Sequence, residues 1–109
     1  MTPRLSSRAK DDLDWIYAYI HGSLGVKSAD RFLERAKRAI EFIVQNPYAG
    51  PHPHWATRHS TLRFWTISGT RFVIYYLPEE HSVSIERVLD GRRDAVRIMG
   101  SGIEEPPED

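Results

Sequence analysis

Arg71-Phe72-Val73-Ile74-Tyr75-Tyr76-Leu77-Pro78-Glu79-Glu80-His81-Ser82-Val83-Ser84-Ile85-Glu86-Arg87-Val88-Leu89 is the stretch on which the fold turns. Residues 71–77 and 82–89 are rich in β-branched and aromatic side chains, and Pro78-Glu79-Glu80-His81 between them is a break of hairpin-turn length. Immediately upstream, Ser68-Gly69-Thr70 makes a second such break after a third run at 62–67, so three consecutive antiparallel strands are expected. In the last run Val83, Ile85 and Arg87 alternate with Ser84, Glu86 and Val88, so one face of that strand is not cleanly apolar. Downstream, Asp90-Gly91 turns the chain, and residues 92–99 can form a short helix with Ala95, Val96 and Met99 on one side.

Toward the N-terminus the period changes from two to about 3.6. Residues 48–61 carry Gly50, Pro51 and Pro53 with three histidines and follow neither period, so they read as a loop. Before it, Asn46-Pro47 stops a helix, because proline has no amide hydrogen and restrains the residue ahead of it. That helix opens at Ser28 and places Ala29, Phe32, Leu33, Ala36, Ile40, Ile43 and Val44 on one face. An earlier helix, capped by Ser6 or Ser7, aligns Ala9, Leu13, Ile16, Tyr17, Ile20 and Leu24, with Arg8, Lys10, Asp11, Asp12 and Asp14 on the other face. Gly22 and Gly25 bracket its end, which makes the pair an antiparallel helical hairpin. Arg4-Leu5-Ser6 is long enough only for an edge strand. The expected architecture is α+β: an N-terminal edge strand, a helical hairpin packed on a small antiparallel sheet in the order β-α-α-β-β-β, and a short C-terminal helix. The second sheet face then lacks a covering helix, so some of Trp65, Ile67, Tyr75 and Tyr76 should stay exposed and favour a protein partner.

The chain has 109 residues, which limits it to one modest core and one domain. No apolar run approaches the roughly 20 residues of a membrane span, and no secretory apolar core follows the N-terminus, so a cytoplasmic, non-membrane protein is expected. The absence of cysteine removes disulfides, thiolate metal sites and cysteine nucleophiles together. Fifteen basic residues balance fifteen acidic ones, but all the basic and only eleven of the acidic residues precede position 101. Residues 1–100 thus carry +4 and residues 101–109 carry −4, with Glu104, Glu105, Glu108, Asp109 and a Pro-Pro pair in the last nine. We expect 1–100 to be the folded domain and 101–109 a disordered acidic tail.

Arginine dominates the second half, with Arg58, Arg63, Arg71, Arg87, Arg92, Arg93 and Arg97 and no lysine after Lys37. Planar guanidinium forks bind phosphate in pairs and stack on bases, and Trp65, Tyr75 and Tyr76 lie on neighbouring strands, so nucleic-acid contact is chemically possible. The competing reading is a solvated mixed surface in which Glu79, Glu80, Glu86, Asp90 and Asp94 neutralise the arginines. His52, His54 and His59 lack a fourth ligand and accompanying carboxylates, and no glycine loop leads into Lys-Ser/Thr, so neither a metal nor another cofactor is expected.

Leu5-Ser6-Ser7-Arg8-Ala9, Asp12-Leu13-Asp14-Trp15-Ile16, Tyr19-Ile20, Asn46-Pro47 with Gly50, Leu62-Arg63, residues 71–76, Ile85-Glu86-Arg87-Val88-Leu89 and Gly91-Arg92-Arg93-Asp94 follow one another along the chain. In that order they resemble the ParE branch of the ParE/RelE superfamily of type II toxins, the plasmid stabilisation proteins. The resemblance implies a non-enzymatic toxin that acts on DNA gyrase and is neutralised by a ParD-like antitoxin. It places target contact at Arg63, Arg71, Arg87, Arg92 and Arg93, and antitoxin contact at Leu13, Ile16, Tyr17, Trp65 and Tyr75. The alternative within the superfamily is a RelE-like ribosome-dependent mRNA endoribonuclease using Arg63, Arg71 and Arg93. Against it, the RelE-type lysine positions are met by Arg63 and Trp65, and the terminal tyrosine position falls near Met99; an indole cannot stabilise phosphate charge, nor a thioether transfer a proton.

Overall fold

The computed structural model describes residues 2–57, 59–93 and 95–99; the acidic tail expected at 101–109, Arg58 and the proposed pairing of Asp94 lie outside the described residues. The chain order is β1 (Arg4–Leu5), α1 (Ser7–Leu24), α2 (Val26–Gln45), β2 (Arg63–Thr66), β3 (Phe72–Pro78), β4 (Val83–Asp90) and α3 (Ala95–Met99). The strands form one sheet in the order β1-β4-β3-β2, with β2–β3 and β3–β4 antiparallel as the two hairpin turns require. One pairing departs from the expected antiparallel sheet. β1 runs parallel to β4, because the chain must cross the sheet face as a helical hairpin before it returns, so the sheet is mixed.

Ser6 makes the first junction. Its side chain accepts a hydrogen bond from Ala9 N (3.0 Å) and caps α1, its hydroxyl donates to Glu86 O (2.7 Å), and its own N–H donates to Ile85 O (2.9 Å). A single residue thus joins strand β4 to the start of α1. At the other end Gly25 closes α1 and opens α2 at φ 95°, a left-handed backbone that a side chain would strain. Across the hairpin the Tyr17 hydroxyl donates to Asp30 Oδ1 (2.7 Å).

β3 alternates cleanly, and both of its faces are apolar. Phe72, Ile74 and Tyr76 join Ala9, Ile16, Phe32, Ala36 and Ile43 in the core under the helices. Val73, Tyr75 and Leu77 point the other way, into a second cluster with Leu62, Leu89, Ala95 and Met99. The mixed pattern of β4 has a local cause: opposite Tyr75 and Tyr76 the register jumps from Arg87 to Ile85, leaving Glu86 as an extra residue. The bulge shifts the phase, so Val88 joins Val83 and Ile85 beneath the helices and Leu89 turns to the second face.

Three expectations are corrected. The second sheet face is covered by this chain: α3 brings Ala95 and Met99, and the loop brings Leu62 and Trp55, whose ring lies 6.1 Å from that of Tyr75. Tyr75 is therefore a core residue, 8% exposed. Leu24, the last residue of α1, and Val96 in α3 are both exposed although they keep the apolar period of their helices.

The loop entering the sheet is held by Tyr76. Its buried hydroxyl accepts from Gly50 N (3.1 Å) and donates to Pro47 O (2.9 Å). A Cβ at Gly50 would sit 2.6 Å from that oxygen and against Phe64 O, so the close approach demands glycine.

Candidate functional site

Arg71 stands just before β3 and Asp90 ends β4, and their proximity follows from the hairpin register, in which Phe72 faces Asp90. Gly91 N donates to Arg71 O (2.7 Å), fixing the junction. Asp90 Oδ2 accepts from Arg71 Nε (2.7 Å) and Arg92 Nη2 (3.1 Å), while Oδ1 accepts from Arg92 N (2.9 Å) and Arg92 Nε (3.3 Å). Bonding to Arg92 above all, and then to Arg71, holds the Asp90 carboxyl well below the usual carboxylate range against the opposing effect of its desolvation. The same bond to Asp90 raises the Arg92 guanidinium.

A second clamp ties α1 to β4. Asp12 receives both Arg87 Nε (2.8 Å) and Arg87 Nη2 (2.9 Å), a two-pronged pair, and also accepts from Val88 N (2.9 Å). The bond to Asp12 raises Arg87 further, against the opposing effect of desolvation. Asp12 is the residue that sequence reading missed here; it read as one of several acids on the polar face of α1.

Between the two clamps lies a cleft of about 410 Å³, walled by α1 on one side and by the β4 end and α3 on the other. Arg71, Arg87, Arg92 and Arg93 line it together with only two carboxylates, Asp12 and Asp90, among the described residues. Arg93 has no ion-pair partner among the described residues. On the α1 wall Trp15 and Tyr19, one helical turn apart, stack with ring centroids 5.4 Å apart and planes within 6°. They are 62% and 48% exposed, so the pair is not part of the core. Sequence reading missed them too, although two aromatic residues four apart on the charged face of an amphipathic helix were the visible signal.

Of the five arginines expected at a target surface, four meet in this cleft and Arg63 does not. Arg63 lies on β2 opposite Tyr76, roughly 16 Å of strand away from Arg71. Its Nη1 donates to Gly50 O (2.7 Å) and Tyr48 O (3.2 Å), and its guanidinium covers the Tyr48 ring at 5.2 Å. Arg63 therefore braces the loop, and the trio Arg63, Arg71 and Arg93 is not assembled at one place. Among the loop histidines, His52 Nδ1 lies 2.9 Å from Leu62 O, a contact within the loop fold.

The five residues expected at an antitoxin surface are scattered as well. Ile16 is 3% exposed and Tyr75 is on the far sheet face, so both are closed off by packing. Leu13 is half-buried against the main core, and Tyr17 is half-buried with its hydroxyl engaged by Asp30. Trp65 is different: on β2, an edge strand of the sheet, it stacks on the exposed Phe42 ring at 4.7 Å. Phe42 and Tyr48, whose exposed ring lies under Arg63, were both outside the expected set.

The family model of the ParE toxin of the type II toxin–antitoxin system parDE matches residues 4–95. Among solved structures, a chain of the chromosomal ParDE toxin–antitoxin system from P. aeruginosa shares the fold at a TM-score of 0.66, with 21% identity over 81% of this chain and 92% of that one. Comparison with curated proteins found no match. No described helix is long and apolar enough to cross a membrane.

Proposed function

Because the chain belongs to the ParE toxin family of type II toxin–antitoxin systems, we propose that it poisons DNA gyrase through the arginine cleft and is neutralised by a ParD-like antitoxin docked elsewhere, along β2. The observation that carries the first part is the convergence of Arg71, Arg87, Arg92 and Arg93 on one cleft, two of them oriented by a shared carboxylate. A surface held this way is preorganised to bind an anionic partner with little further loss of side-chain entropy. The cleavage alternative draws on Arg63, which the loop carbonyls hold far from Arg71 and Arg93, so binding is better supported than nuclease chemistry.

For the antitoxin, β2 is an edge strand whose Phe64 is already covered by the loop, its N–H donating to Pro51 O (3.0 Å), which leaves the Thr66 end of the edge beside the Phe42–Trp65 stack. An extended segment added as a strand there, with apolar side chains against Phe42, uses both features. The decisive experiment is a supercoiling assay with purified gyrase. The chain should block supercoiling and accumulate cleaved DNA, and Arg93→Ala should lower its potency about tenfold, the value of one charge-assisted contact. Normal supercoiling at every toxin excess would reject gyrase as the target, and fresh cuts in translated transcripts that vanish in Arg71→Ala would move the chain to the nuclease class.

A further inference from the structure

The cleft holds two features that a purely protein partner does not need together: open guanidinium groups and an exposed aromatic pair stacked with parallel planes. Arg71 gives only Nε to Asp90, so its terminal nitrogens remain open to a ligand. Arg92 gives Nε and Nη2 to Asp90 and keeps Nη1, with a side chain 73% exposed. Arg93 contributes a whole fork. These donors line the same cleft as Trp15 and Tyr19, and both stacked rings are exposed, so ring surface is open to a ligand. Arg87 is set apart: both prongs are committed to Asp12, and it serves to hold the α1 wall against β4.

We infer that this cleft binds single-stranded nucleic acid, with an unpaired base laid on the Trp15–Tyr19 stack and flanking phosphates on Arg93, Arg71 and Arg92. Base stacking on exposed aromatic rings combined with a basic track along the backbone is the general physics of single-strand recognition, and it tolerates any base. A duplex keeps its bases stacked on one another and cannot use the aromatic pair. An acidic peptide would use the arginines and leave the ring faces idle. Asp12 and Asp90 do not oppose the ligand, because each is already covered by arginine nitrogens and, in Asp12, by a backbone N–H. Its role in the toxin rests on the reading of this cleft as the working surface: unpaired DNA in a gyrase cleavage complex is the class of ligand such a site would hold.

The test needs no gyrase, so its failure leaves the supercoiling result standing on its own. Fluorescence anisotropy would follow the full chain binding a labelled oligothymidylate of about 12 nucleotides, an oligouridylate of the same length, and an abasic strand of the same charge. The oligothymidylate should bind measurably at about 50 mM salt, with log K falling with log salt at a slope of about −0.7 per phosphate engaged. Trp15→Ala should weaken oligothymidylate binding about tenfold and leave the abasic strand unchanged. Arg93→Ala should weaken both and reduce the salt slope by about 0.7. Weaker binding of oligouridylate would assign the site to DNA; equal binding would assign it to either strand chemistry. The inference is overturned if the folded chain binds no oligonucleotide at low salt, if Trp15→Ala has no effect, or if the abasic strand or polyglutamate binds as tightly as oligothymidylate.

Discussion

Tyr76 and Asp90 are the residues on which most local geometry depends. Burial pushes the Tyr76 phenol upward, so it stays protonated and can donate to Pro47 O while accepting from Gly50 N. Tyr76→Phe keeps the ring and strands both backbone groups; a thermal or urea melt should show a loss of about 1–3 kcal/mol, the usual cost of buried groups left without partners. Asp90 makes a prediction about pH. Its folded carboxyl is depressed, first by Arg92 and then by Arg71. The stability it contributes is therefore fully present above the unfolded value near 3.9 and drains away as pH falls below it toward the lower folded value. In melts taken from pH 6 downward, Asp90→Asn should flatten the part of the acid limb below about pH 4; an unchanged limb would show that Asp90 is not the group being titrated. Gly50 in the sequence marks a turn, but only the oxygen above it shows why no larger residue fits.

Elements meet through a few polar junctions, of which Asp12 is the most consequential. It joins α1 to both the side chain of Arg87 and the backbone of Val88, and the two side chains are 15% and 16% exposed. Removing one partner of such a pair leaves the other charge uncompensated, so Asp12→Ala should cost about 2–3 kcal/mol and loosen the α1 wall of the cleft. Amide exchange would locate the effect: Val88 should lose protection more than the amides of β3. The helices themselves were plain in the sequence because an amphipathic period is a local property, visible in Phe32, Ala36 and Ile43. The ends of elements were less so. Leu24 keeps the apolar period of α1 and Val96 that of α3, yet both are exposed, since periodicity records what a face could bury and not what lies opposite.

On the scale of the whole molecule, neutrality of the chain hides an arginine-lined cleft. Removing residues 101–109 deletes four acidic residues and leaves a net charge of +4. The family match ends at residue 95 and α3 at Met99, so the shortened chain should melt at the same temperature and focus at a distinctly basic pI; a chain that no longer folds would place the tail inside the domain. The sheet also separates two surfaces, with the arginine cleft at the β4 end and the Phe42–Trp65 stack beside the β2 edge. The order of strands and helices, the hairpin turns and the concentration of arginine were all legible from residues alone, because each depends on neighbours within a turn or two of chain. Three things were decided only by the tertiary structure. The bulge at Glu86 chose which face Val88 and Leu89 serve, the loop and α3 closed over Tyr75, and Asp12 met Arg87 across 75 residues. Each depends on which surfaces the packed chain brings together, and the energy of a buried face or a paired charge exists only once the distant partner has arrived.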